Sequence, residues 1–324
     1  MKPDSFDVII LMPVYRDWQS AALLCRSLDR QLAGTAGVRA RILLVDDGSP
    51  DGIGDWPVAE CAAAERIDVL RLRRNLGHQR AICMGLCYIQ EHLPCDAVLV
   101  MDADGEDRPE DAIRLIEVAM RGGVPVRFAE RRKRQEGAIF RLGYTLFRIV
   151  HRILTGISVR VGNFSIVPFP VLRRLVSMPE LWNHFAGAVY KSKVDFERIP
   201  MDRGKRLGGR SHMDVAALVA HGIAGIATFH EVVATRILIT NVIGLVLLTA
   251  LLGVIVAIRL VTSQAIPGWA TYTTGFVLVL AIQLVGMSFS LVFTLISNRT
   301  NMVFVPARDY ALFIDKVECL AGPK

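Results

Sequence analysis

The chain has 324 residues, 52% of them hydrophobic, a formal net charge of +7 and six scattered cysteines, material for about two domains. A mean hydropathy of +0.38 is high for a wholly soluble protein, and a pI near 9.3 admits nucleic acid, anionic lipid or phosphorylated partners. Only Cys83 and Cys87 stand at helical spacing, and no second pair or histidine cluster completes a zinc site, so buried reduced thiols are expected.

Residues 7–14 form a short apolar run cut by Pro13, which predicts a buried strand and a loop rather than a secretory signal. Helical spacing follows over 19–32, then a second strand over 41–45 that breaks into Asp46-Asp47-Gly48-Ser49. A third strand is predicted over 68–73, a helix over 77–92, a fourth strand over 97–102, a helix over 109–121 and a fifth strand over 124–129. Strands alternating with helices of this length predict a mostly parallel α/β sheet covered on both sides, whose ligands bind beyond the carboxyl ends of the strands. Tyr15, Asp46, Asp47, Asp102 and Asp104 all fall at that edge. Residues two apart on a strand share a face, so Asp102 and Asp104 are expected to point at one object. Converging carboxylates repel unless a hard cation sits between them; Mg²⁺ or Mn²⁺ suits oxygen ligands and leaves positions for phosphate oxygens. The absence of Gly-x-Gly-x-x-Gly and of Gly-x4-Gly-Lys-Ser/Thr removes the main support for a dinucleotide oxidoreductase or a P-loop enzyme.

Beyond residue 127 the chain turns basic, and Arg141, Arg148 and Arg152 form one stripe on a predicted helix over 138–154, suited to a solvated face or to anionic headgroups. A second basic cluster around Gly204, Gly208 and Gly209 includes Arg198, Arg203, Lys205, Arg206 and Arg210. Arginine pairs hydrogen bonds with phosphate, and glycine lets backbone approach a ligand. Segments 237–258 and 273–297 carry no charge and are each long enough to span a bilayer, with Trp269 and Tyr272 suited to its interface. Gln283, inside the second span, is expected to bond to a neighbouring helix. Arg236 before the first span and Arg299, Arg308, Lys316 and Lys324 after the second predict that both ends face the cytoplasm. The expected organisation is a catalytic domain over 1–212, a juxtamembrane segment over 213–235, two transmembrane helices within 236–298 and a cytoplasmic tail over 299–324. The tail could pair subunits in a homo-oligomer. The arginines lack interleaved aromatics, which argues against a nucleic-acid binder.

Pro13-Val14-Tyr15, Val45-Asp46-Asp47-Gly48-Ser49, Asn75-Leu76-Gly77 and Asp102-Ala103-Asp104 through Pro109-Glu110 resemble, in order and spacing, the family 2 glycosyltransferases of GT-A fold. Among these the chain is most similar to the polyisoprenyl-phosphate glycosyltransferases, the dolichol-phosphate mannose synthases and bacterial bactoprenol glucosyltransferases. The resemblance implies that Pro13, Tyr15, Asp46, Asp47 and Gly77 border the donor nucleotide. Asp102 would border the sugar-nucleotide and join Asp104 and Glu106 around a metal. Arg131, Arg134, Arg206, Ser211 and His212 would meet phosphate, with Asp102, Asp104, Arg131 and Arg206 the catalytic set. Glu106 stands where the family usually has Gln, His212 where it has Lys, and Gly162-Asn163-Phe164-Ser165 lacks the arginine common there.

The implied reaction is inverting transfer of a hexose from a nucleotide sugar (UDP- or GDP-linked) to a polyprenyl phosphate, at the cytoplasmic face of a bacterial plasma membrane. A phosphate monoester is largely dianionic near neutrality, its second pKa being about 6, so such an acceptor needs no strong base. Rival readings are a family 2 enzyme with a lipid or glycan hydroxyl acceptor and a non-catalytic membrane scaffold keeping the fold. The Gln-x-x-Arg-Trp motif usual in hydroxyl-acceptor synthases is absent.

Overall fold

The structure is a computed structural model and describes residues 5–53, 61–123, 125–131, 138–157, 161–202, 204, 206–208, 222–261, 268–300 and 304–322. The chain divides into two compact units, the first made of Met1–Phe147, Ser158–Thr228 and Phe304–Lys324, the second of Arg148–Ile157 and Phe229–Val303.

The first unit is built on β1 (Phe6–Val14), α1 (Trp18–Ala33), β2 (Val38–Asp46), β3 (Arg66–Leu72), α2 (His78–His92), β4 (Ala97–Val100), α3 (Pro109–Met120) and β5 (Val126–Arg131). After α4 (Ala138–Thr155) come β6 (Ser165–Pro168), α5 (Phe169–Leu175), α6 (Phe185–Ser192) and β7 (Phe196–Met201), and the last strand, β8 (Ile314–Ala321), closes the chain. The sheet order is β7-β5-β6-β4-β1-β2-β3-β8. Pairings are parallel between β1 and β2, β1 and β4, β2 and β3, and β5 and β7, and antiparallel at β4–β6, β5–β6 and β3–β8.

The apolar run of β1 feeds two cores with the period of a strand. Val8, Ile10, Met12 and Val14 join α1 and α3 on one face, while Ile9 and Leu11 join α2, α5 and α6 on the other. Both faces are covered, which is why the strand reads as continuous rather than alternating hydrophobicity. Helix α2 lies so close that a Cβ on Gly85 would stand 2.4 Å from a Leu11 methyl and 2.8 Å from one of Val45. Pro13 is tolerated in this central strand because β4 pairs with β1 only over Val8–Leu11. The side on which Pro13 lacks an N–H therefore lies past the end of β4. The strand order reverses between β4 and β1, so the carboxyl ends of β1, β2 and β4 open on one crevice.

Several expectations change in detail. The fourth strand stops at Val100, not at 102, so Asp102 and Asp104 sit in a turn rather than on one face of a strand. Strands β6, β7 and β8 have no counterpart in the sequence reading. Segment 299–324 was expected as a tail, yet within it Ile314–Ala321 runs antiparallel to β3. Cys83 and Cys87 lie buried on α2 with free thiols.

The second unit contains α7 (His230–Val261) and α8 (Trp269–Thr300), 32 residues each and longer than the predicted spans. Their length and apolar composition suffice to cross a bilayer. Apolar side chains are exposed all round them, Val246, Leu247, Phe276, Ile282 and Phe289 among them, which a core helix of a soluble protein would not permit. Asn241 Nδ2 donates to Ser288 Oγ at 3.2 Å between the two helices. Gln283 is exposed. Arg236 donates to the Ile153 carbonyl at 2.6 Å, filling an acceptor at the carboxyl end of α4. Of the basic stripe on α4, Arg148 and Arg152 are exposed; the side chain of Arg141 lies outside the described residues.

Candidate active site

The crevice is assembled from three turns. At the end of β2, Asp46 and Asp47 are buried although both are carboxylates. Asp46 Oδ1 accepts from the Ser49 amide at 2.9 Å, and its Oδ2 lies 3.5 Å from Arg71 Nη1. Asp47 accepts from the Leu76 amide at 2.7 Å and the Gly77 amide at 2.9 Å, tying this turn to the start of α2. Burial pushes the Asp47 carboxyl up to about 6, with Asp46 adding to it, against the pull of those two amides and of His78. Gly48 allows the close approach: at φ +69°, its missing Cβ would fall 2.5 Å from the Arg74 carbonyl carbon.

At the end of β1, Tyr15 is exposed, and the Arg16 amide donates to Ser49 Oγ at 2.9 Å, joining the β1 and β2 loops.

The turn after β4 carries the acidic cluster. Asp107 Oδ2 accepts from the Asp102 amide at 3.0 Å and Asp104 Oδ1 from the Glu106 amide at 3.0 Å, so the carboxylates shape their own turn. Gly204 and residues 206–208 fold over it. The Gly204 amide donates to the Glu106 carbonyl at 2.8 Å and the Leu207 amide to the Asp104 carbonyl at 3.0 Å. Arg206 uses its whole fork: Nη2 donates to Asp17 at 2.6 Å, Nε to the Gly208 carbonyl at 2.9 Å, and Nη1 lies 3.5 Å from Asp104 Oδ2.

A histidine absent from the sequence reading completes the site. His78, the first residue of α2, places Nε2 3.1 Å from Asp102 Oδ1. Partial desolvation opposes the charge of this solvent-exposed side chain, but Asp102 above all, with Asp47 and Asp104, raises its pKa above the ordinary value. Carboxylates from two strand ends thus bear on one imidazole. Behind it, the Phe185 amide donates to Gln79 Oε1 at 2.8 Å and Gln79 Nε2 to Asn163 Oδ1 at 2.9 Å. The Asn163 side-chain amide lies 3.0 Å from His78 Nε2, the nitrogen that also faces Asp102 Oδ1. Asn163 lies in the stretch where the resembled family carries an arginine. Gly77, directly before His78, was the sequence signal closest to it; nothing in the sequence pointed to Asp17.

The structure therefore brings Asp46, Asp47, Gly77, Asp102, Asp104 and Arg206 to the ends of neighbouring strands of one sheet. Arg131 is the last residue of β5, with its side chain outside the described residues, as are Arg134, Ser211 and His212 altogether. Among the described residues no three His, Cys, Asp or Glu side chains form a ready metal cage, so Asp102, Asp104 and Glu106 are not preassembled as a trio. The donor set still fits Mg²⁺ or Mn²⁺, since such ions commonly take one or two carboxylates from protein and complete their shell with phosphate oxygens and water.

The family profile of glycosyl transferase family 2 matches residues 9–176, just over half the chain. The chain belongs to that family. The glycosyltransferase YkcC of Bacillus subtilis, itself uncharacterized, is 25% identical over 84% of this chain and 82% of its own length. The undecaprenyl-phosphate 4-deoxy-4-formamido-L-arabinose transferase of Erwinia tasmaniensis is 37% identical, over 36% of this chain and 34% of its own length. Glucosyl-3-phosphoglycerate synthase of Mycobacterium tuberculosis, solved with phosphoglyceric acid, superimposes with a TM-score of 0.50 at 15% identity, covering 70% of this chain and 80% of its own. At that identity the likeness concerns the fold, which is GT-A.

Proposed function

We propose that this family 2 glycosyltransferase moves a hexose from a nucleotide sugar to a polyprenyl phosphate by a single inverting displacement at the cytoplasmic face of a bacterial membrane. The observation that carries the reading is Arg206 held between Asp17 and Asp104, a cation fixed against the acidic turn of the crevice. In this reading Asp46 and Asp47 border the nucleotide, and Asp104 with Asp102 holds a divalent ion. The bound ion supplies charge neutralisation for the diphosphate leaving group. Arg206 orients phosphate at the same edge, and Arg131, Arg134, Ser211 and His212 act with it on the acceptor phosphate. His78 holds Asp102 in place through its contact with Oδ1. The acceptor phosphate is itself the nucleophile, so catalysis reduces to positioning and electrostatic stabilisation, and a serine–histidine pair is unnecessary. Two lipid-embedded helices keep the enzyme beside an acceptor that stays in the membrane.

The test incubates membranes containing the full chain with labelled UDP- and GDP-sugars, with and without EDTA, and extracts the lipid. Label is expected in the lipid fraction and lost with EDTA. Asp104→Asn, with unchanged thermal melting, is expected to lower transfer by about a hundredfold or more. Label confined to water-soluble polymer would rule out the lipid phosphate as acceptor.

A further inference from the structure

The strand that follows both apolar helices reaches the nucleotide side of the crevice through charge. Register places Asp46 of β2 beside Arg71 of β3, and Arg71 opposite Lys316 of β8. Two cations directly opposite each other on neighbouring strands repel. Glu318, diagonal to Arg71 on the same strand pair, sits between them: its Oε1 lies 2.6 Å from Lys316 Nζ, and its Oε2 accepts from Arg71 Nε at 2.6 Å. Arg71 is thereby held by Nε and presents Nη1 to Asp46 at only 3.5 Å, a loose contact on a carboxylate whose other oxygen is taken by the Ser49 amide.

We propose that Glu318 is a positioning residue for the donor, restraining Arg71 so that Asp46 keeps acceptor capacity for a nucleoside group. This rests on the reading of Asp46 as a nucleotide contact. Without the Glu318 carboxylate, Lys316 repels Arg71 and the guanidinium closes on Asp46. A planar guanidinium matches both oxygens of a carboxylate and would occupy the lone pairs that the nucleotide needs. Lys316, and after it Arg71, hold the Glu318 carboxyl below its usual range, so the restraint is charged at neutral pH. The segment after the second apolar helix thus belongs functionally to the donor site and does not merely cover a sheet edge.

The test uses the purified full chain in detergent with the donor sugar nucleotide that supports transfer, and reads KM and kcat separately. Glu318→Gln is expected to raise donor KM about tenfold, the scale of one charged hydrogen bond, with kcat within about twofold. The same substitution made in an Arg71→Gln background is expected to leave donor KM where Arg71→Gln alone puts it. A wild-type KM for Glu318→Gln, or an equal rise with and without Arg71, overturns the proposal. Should Glu318→Gln melt early, Glu318→Asp, which keeps the charge but shortens its reach to Arg71, carries the same expectation. Asp46→Asn separates the two levels of inference. If it leaves donor KM unchanged, the nucleotide reading fails; if it raises KM while Glu318→Gln does not, only the restraint fails.

Discussion

Asp47 offers a quantitative handle on the donor turn. Its carboxyl is 3% exposed, and burial lifts its folded pKa from 3.8 to about 6. Between those values the folded protein keeps a proton that the unfolded chain has released, so stability falls as pH rises through the window. A shift of about two units corresponds to about 3 kcal/mol, fully present below roughly pH 4 and lost as pH rises to about 6. Asp47→Asn removes this dependence. Its amide accepts from one of the Leu76 and Gly77 amides but turns its own NH₂ toward the other, costing about 1–3 kcal/mol at every pH. The variant is therefore expected to melt below wild type near pH 4 and to draw level with or pass it near pH 7.5, the gap moving by roughly 6–12 °C. Differential scanning fluorimetry of both proteins in one detergent, across that range, measures the gap directly. Groups that titrate identically in the two proteins cancel. Parallel melting curves would falsify the assignment of a buried, proton-holding carboxyl to this turn.

Two glycines of the same crevice should respond differently to alanine. Gly48→Ala meets the backbone of Arg74 and Asn75 within 2.6 Å, whereas a Cβ on Gly77, at φ +94°, meets nothing within 4 Å. Melting is expected to drop by more than about 2 kcal/mol equivalent for Gly48→Ala and by only about 1–2 kcal/mol for Gly77→Ala. Arg206→Lys keeps the charge but loses the fork that joins Asp17, Gly208 and Asp104; steady-state kinetics are expected to show kcat/KM reduced about tenfold or more, with the melting temperature little changed.

Legibility in the sequence followed local signal strength. Strands β1, β2 and β4 were readable because each is an unbroken apolar run stopped by polar residues, and two long uncharged segments announced α7 and α8. Asp46, Asp47, Asp102 and Asp104 were readable because they follow those runs immediately. Strand β4 is short, however, and its apolar pattern does not mark where Met101 leaves the sheet, so the acidic pair was placed on a strand instead of a turn. Strand β8 escaped because Asp315, Lys316 and Glu318 give it the look of a solvated tail; its partner β3 is more than 200 residues away. The pairing of Arg206 with Asp17 spans 189 residues, and no local pattern encodes it. His78 was hidden by position: a lone histidine opening a helix acquires meaning only when the turn after β4 brings Asp102 against it.

The antiparallel junction of β3 with β8 also constrains biogenesis. Ribosomes deliver β8 only after β3 and both greasy helices have emerged. Until β8 emerges, the margin of β3 is an open template for stray strands. A nascent chain stalled before residue 314 would carry that unprotected margin into the cell.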